Sequence, residues 1–182
     1  MAITLVSTAT ASGSASIAFD LGSAVEYIFE FLSIHHVNSD VDFQMQFNAS
    51  NSSSWDETVT SVSRLAYSSH AASVEAFNHD FTTYAQQEEA EQITIARQVG
   101  NAAYSSVSGR LRIFNPSSTS GVKMFESSMV TSVFGALDAT SAGTDLFEHY
   151  GYINTTTDID EIRFKAASGN IETGVIKMYA VS

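Results

Sequence analysis

The sequence predicts an all-β protein, a single domain over residues 1–182 built as an antiparallel sandwich or jelly roll. Three observations predict it. Apolar residues alternate with period two over most of the chain, which puts one face of each segment inward. Clusters of Gly, Asn, Asp and Ser punctuate those segments, giving about eight to ten strands. No period of about 20 to 50 residues recurs, which argues against a solenoid or a propeller.

The elements follow in order. Ile3 to Val6 is short and apolar, and Ala15 to Leu21 alternates with Ile17, Phe19 and Leu21 on one face. Val25 to His36 is a long strand: Val25, Tyr27, Phe29 and Phe31 face the core, while Ile28, Leu32 and Ile34 share the other face with Glu26 and Glu30. Val41, Phe43, Met45 and Phe47 alternate cleanly with Asp42, Gln44, Gln46 and Asn48. Burying those four apolar side chains contributes roughly 6 to 12 kcal/mol before chain entropy is subtracted.

Residues 49–56 form a polar loop carrying the single tryptophan, Trp55. Thr58 to Leu65 and Val74 to Phe77 are strand-like, and residues 79–91 have helical composition, for which a short helix or an ordered loop is expected. Ile93 to Ala96 and Val107 to Phe114 resume the alternation, and Asn115-Pro116 breaks it. Val122 to Phe134, Leu146 to Ile153, residues 159–166 and residues 175–181 complete the set. Ser168-Gly169-Asn170 supplies hairpin-turn chemistry between the last two strands, and the final one is apolar on nearly both faces.

Composition narrows function. Eight basic against twenty acidic residues give a formal net charge of −12, which repels phosphate backbones and excludes nucleic acid as a partner. No stretch approaches the ~18 apolar residues of a membrane helix, and the N-terminus lacks a basic leader, so no membrane partner is expected. The absence of cysteine excludes disulfides, thiolate zinc sites and thiol catalysis.

The polar residues offer no assembled chemistry. His35 and His36 are adjacent on a strand and point to opposite faces, and His70, His79 and His149 lack ligand spacing. Asp158, Asp160 and Glu161 lack the spacing and glycine of a calcium loop and suit a solvated strand edge. There is no G-x-S-x-G elbow, phosphate loop or dinucleotide fingerprint. The expectation is therefore a non-enzyme with no cofactor, no metal and no catalytic residue. Trp55, among Ser52, Ser53, Ser54 and Asp56, has two readings: a ring that stacks on a sugar, or a cap on one end of the core.

The segments VSGRLRIFNPSST (107–119), VFG (133–135) and IDEIRFKAASGNIETGVIKMYAVS (159–182) resemble virion-associated structural proteins of tailed, often marine, bacteriophages. That resemblance covers roughly the C-terminal half and carries no catalytic residue. It implies a β-sandwich of jelly-roll type on the virion, assembled in the host cytoplasm. The first function it implies is a capsid decoration or cement protein bound to the major capsid protein. The alternative is a tail-fibre or receptor-binding module recognising host-surface glycans, with Trp55 as the candidate contact. It further implies a homotrimer, for which Ile28, Leu32, Ile34, Ile176 and Met178 are the candidate subunit contacts, on the argument that a large apolar patch seldom faces water.

Overall fold

A computed structural model describes residues 2–69, 75–78, 84–89, 92–133 and 143–182. Thirteen strands and no helix are found among them, every pairing being antiparallel. They are β1 (Ile3–Thr10), β2 (Ile17–Asp20), β3 (Glu26–His36), β4 (Val41–Ala49), β5 (Val59–Ser69), β6 (Glu75–Asn78), β7 (Gln87–Glu89), β8 (Ile93–Val99), β9 (Val107–Phe114), β10 (Lys123–Val133), β11 (Gly143–Ile153), β12 (Ile159–Ala166) and β13 (Ile171–Val181). The protein is an all-β antiparallel sandwich. Within residues 79–91, residues 79–83 and 90–91 lie outside the described set; Gln87–Glu89 is a strand paired with β5, not a helix.

Eight strands make the two-layer body. One layer runs β1-β13-β3-β9 and the other β2-β12-β4-β8. Taken in chain order, the outermost strand pairs with the outermost and the innermost with the innermost: β1 with β13, β2 with β12, β3 with β9, β4 with β8. The first layer continues through β10 and β11 to β5, which carries β6 and β7. Among the described residues a single pairing, Val133 with Val99, links β10 to β8 and joins the layers.

Between the layers lies a phenylalanine-rich core. Phe164 on β12 stands 4.9 Å from Phe31, 5.3 Å from Phe29, 6.1 Å from Phe43 and 6.2 Å from Phe19, ring centroid to centroid. Phe31 meets Phe43 edge-on at 5.5 Å. All four residues of the Val41–Phe47 alternation are buried, as their period requires.

Two sequence expectations need correction. Residues 159–166 and 171–181 do not form a hairpin: β12 pairs with β2 and β4, whereas β13 pairs with β1 and β3. The turn at Gly169, with φ 72°, therefore carries the chain from one layer to the other. Asn170 anchors the crossing, donating Nδ2 to the Gly13 carbonyl at 2.8 Å and accepting from the Val37 amide. Turn residues fix a reversal of direction; the partner of the returning strand is set by which face it must bury.

The second correction concerns Ile34, Ile176 and Met178, which are buried in the core and unavailable to another subunit. Ser33 adopts φ 52° and the β3 register shifts between Phe31 and Ile34, so one extra residue turns Ile34 inward. Gly174 on the paired strand, at φ 125°, accommodates the same irregularity; a Cβ there would lie 2.8 Å from the Ile34 Cα. Ile176 and Met178 lie opposite Phe31 and Phe29, which commits them to the same inner face.

Phe43, with no exposure and rings on two sides, sets a stability test. Phe43→Ala should cost about 3 to 5 kcal/mol in urea or thermal unfolding. A change under about 1 kcal/mol would place Phe43 outside the core.

Candidate functional site

The outer face of the large layer is a broad surface on which side chains converge. Because β3 up to Phe31, β9, β10, β11 and β5 pair in unbroken register, their outward residues fall into rows across the sheet. One row reads Glu30, Arg110, Ser128, Glu148, Arg64, with Lys177 of β13 beyond Glu30. The next reads Ile28, Arg112, Glu126, Tyr150, Val62, with Tyr179 beyond Ile28.

The charges on β3, β9, β10, β11 and β5 within these rows are paired. Arg110 Nη2 lies 3.1 Å from Glu30 Oε1, and Arg64 Nη1 lies 3.3 Å from Glu148 Oε2. Arg112 bridges two strands, donating Nε to Glu26 at 2.5 Å and Nη1 to Glu126 at 2.7 Å. Those bonds, Glu26 first, raise the Arg112 pKa above its ordinary value. A shallow hollow of about 230 Å³ opens at the centre, lined by Arg110, Arg112, Glu126, Ser128 and Tyr150.

Around the pairs, large apolar side chains stand in water: Val130 at 53%, Met124 at 51%, Val62 at 47%, Leu32 at 41% and Leu146 at 39% exposure. Of the five expected contact residues, Ile28 is half-buried and Leu32 is exposed on this face; Ile34, Ile176 and Met178 are not on it. Sequence reasoning missed Val130, Leu146, Val62, Arg110 and Glu148. Their alternation was visible, but which strands lie side by side was not.

The outer face of the small layer is polar. Arg163 Nε donates to Gln46 Oε1 at 2.8 Å, Gln46 Nε2 to the Trp55 carbonyl at 3.3 Å, and Asn48 Nδ2 to Glu161 Oε2 at 2.8 Å. Trp55 is half-buried, with the Arg163 guanidinium 4.5 Å from its ring centre. The loop 50–58 thus folds back so that the tryptophan covers this ladder rather than the end of the core.

The remaining candidates hold the fold. His35 points outward to Glu172, 2.9 Å away, while His36 is buried. Asp158 accepts from Ser50 Oγ at 2.6 Å. Among the described residues no three His, Asp or Glu side chains are arranged to hold a metal ion. His70 and His79 lie outside the described residues. Lys123 is buried with its ammonium donating to the carbonyls of Thr155, at 3.0 Å, and Thr157, and burial lowers its pKa.

On the inner side of β10, β11 and β5, buried polar groups stand among Phe125, Met129 and Phe147. His149 on β11 bonds through Nδ1 to the Thr94 carbonyl on β8 at 2.9 Å and through Nε2 to Ser61 Oγ on β5 at 2.7 Å. Asp145 on β11 accepts from Arg97 Nε on β8 at 2.7 Å. No protein-family model, curated protein or solved structure matches the chain.

The buried imidazoles make stability depend on pH. Burial lowers the pKa of both His36 and His149 from 6.5 to about 4. The Val41 backbone near His36 and the Thr94 carbonyl on His149 oppose that shift without cancelling it. The unfolded chain therefore binds protons that the folded one refuses between about pH 4 and 6.5. Each histidine then removes at most roughly 3 kcal/mol of stability as pH falls through that window. Asp145 acts oppositely, because burial raises its carboxyl pKa against the pull of Arg97. The melting temperature should drop clearly between pH 7 and pH 4.5, and His36→Phe should flatten that slope. An unchanged slope in the variant would mean that His36 is not a neutral, buried ring.

Proposed function

We propose that this chain is a structural protein of a tailed-phage particle, a jelly-roll module that decorates and cements the head exterior, with the major capsid protein as its partner and the virion as its location. One observation carries a structural role: the large layer presents a wide face of exposed apolar side chains interleaved with ion-paired rows. Contiguous exposed apolar surface with a polar weave is a protein-contact surface, because water alone does not favour it.

The phage setting rests on the likeness of residues 107–119, 133–135 and 159–182 to virion proteins. The nested pairing of β1 with β13, β2 with β12, β3 with β9 and β4 with β8 supports the jelly-roll reading, being what a long hairpin ribbon produces when folded over on itself. The acidic surface, at net charge −12, keeps such a module off packaged nucleic acid and in contact with protein.

Quantitative gel densitometry of purified particles tests the role. A decoration protein should band at a molar amount comparable with the major capsid protein. A band far weaker, retained on isolated tails, would move the chain to the fibre or receptor-binding role, and absence from particles would remove both.

A further inference from the structure

We propose that a second copy of this chain docks on the outer face of the large layer, related by a two-fold axis running along β10. The inference takes from the proposed function only that this face meets protein, and it replaces the three-fold association expected from the sequence.

The argument is charge and shape complementarity of the face with itself. A two-fold axis along β10 places β9 of one copy over β11 of the other, and β3 over β5. In the first row Arg110 then faces Glu148 of the second copy, and Glu30 faces Arg64, with uncharged Ser128 on the axis. The Glu30–Arg110 pair thus meets the Arg64–Glu148 pair in opposite polarity. In the second row Ile28 faces Val62, apolar on apolar, and Arg112 faces the ring of Tyr150. Glu126 meets its own copy, but each Glu126 is held by an Arg112 at 2.7 Å. Met124 and Val130, the two most exposed apolar residues of β10, lie on the axis, and each covers its own counterpart.

No neighbouring axis does this. An axis along β9 sets Arg110 against Arg110, and one along β11 sets Glu148 against Glu148. An axis across the strands, between the two rows, sets Arg110 against Arg112. Like charges opposed at an interface suppress the arrangement. Only the uncharged centre at Ser128 leaves Glu30, Arg110, Glu148 and Arg64 all matched with opposite charges.

The area is adequate. Five strands about 4.8 Å apart, with outward rows spaced about 6.8 Å, make a face of roughly 650 Å² per copy. A standard stable interface buries about 800 Å² per partner, so this contact belongs near the lower end of that class. Aligned packing of two sheets at about 10 Å keeps the residues nearest β10 in best register, because sheet twist carries the outer strands apart.

Sedimentation equilibrium of the full chain at tens of micromolar should give about 39 kDa, twice the 19.6 kDa chain. Arg110→Glu or Glu148→Arg alone should weaken the dimer about ten-fold or more, and both together on one chain should restore it. The chain has no cysteine, so Val130→Cys should be joined to its counterpart by a short bis-maleimide that spans the roughly 10 Å between packed sheets, while Ser168→Cys at the β12–β13 turn should not. Circular dichroism melting identifies any variant that has lost its fold. A monomer, a trimer of about 59 kDa, or a dimer indifferent to Arg110→Glu and not joined through Val130→Cys would overturn the proposal. A chain that dimerises in this way yet is missing from particles would overturn the proposed function and leave the dimer standing; an abundant virion protein that stays monomeric would do the reverse.

Discussion

The contact of Phe164 with four other phenylalanines is what the rest of the structure depends on. Phe164 belongs to the small layer and Phe29 and Phe31 to the large one, so their edge-to-face packing is the bond between sheets. Phe43 and Phe19 flank it from β4 and β2, fixing how far apart the layers stand. Edge-to-face pairs add about 0.5 to 1.5 kcal/mol each beyond the area they bury, and they are directional. A core of this kind selects one stacking of the layers over alternatives of equal hydrophobicity. Every outward row is positioned as a consequence, because each inward ring fixes the face of its neighbours along the strand.

Away from that cluster the molecule changes character. β10, β11 and β5 extend the large layer past the four strands that face the small one, and their inner side joins core residues such as Phe125, Met129 and Ile153 to directed polar contacts with β8. His149 spans β11, β8 and β5, and Arg97 ties β8 to Asp145. Tyr84 packs edge-on against Phe147 at 5.4 Å, so the segment before β7 covers part of the inner side where the second sheet ends. Buried polar groups are costly unless satisfied, which makes this half more specific in geometry and more sensitive to protonation than the phenylalanine half. The extension is also what makes the outer face wide: the eight-strand body alone would present four strands to a partner.

How much of this was legible in the sequence follows from the range of each determinant. Alternation is local, so the strands at 26–36, 41–49, 107–114 and 159–166 could be placed within a few residues. The apolar character of 175–181 on both faces marked β13 as central, and it lies between β1 and β3. The bulge at Ser33 was not legible, since a serine with positive φ leaves no mark in a period-two pattern, and Ile34 was assigned to the wrong face for that reason. The turn at residues 168–170 announced a reversal but not a change of layer. The contact face was hidden most completely: Glu30, Arg110, Glu148 and Arg64 form a row only after four separate pairings are known.

The position of β13 has a consequence for how the protein is made. β3 is complete by residue 36 and carries Phe29 and Phe31, yet its partner on one side is Ile171–Val181. At about 5 to 20 residues per second, roughly ten seconds of synthesis separate the two. Through that interval the growing chain holds aromatic side chains whose covering strand does not yet exist. Pairings of such long sequence separation close slowly even after release, in the range of milliseconds to seconds. The large layer therefore closes around β3 only when the last strand to be made reaches it.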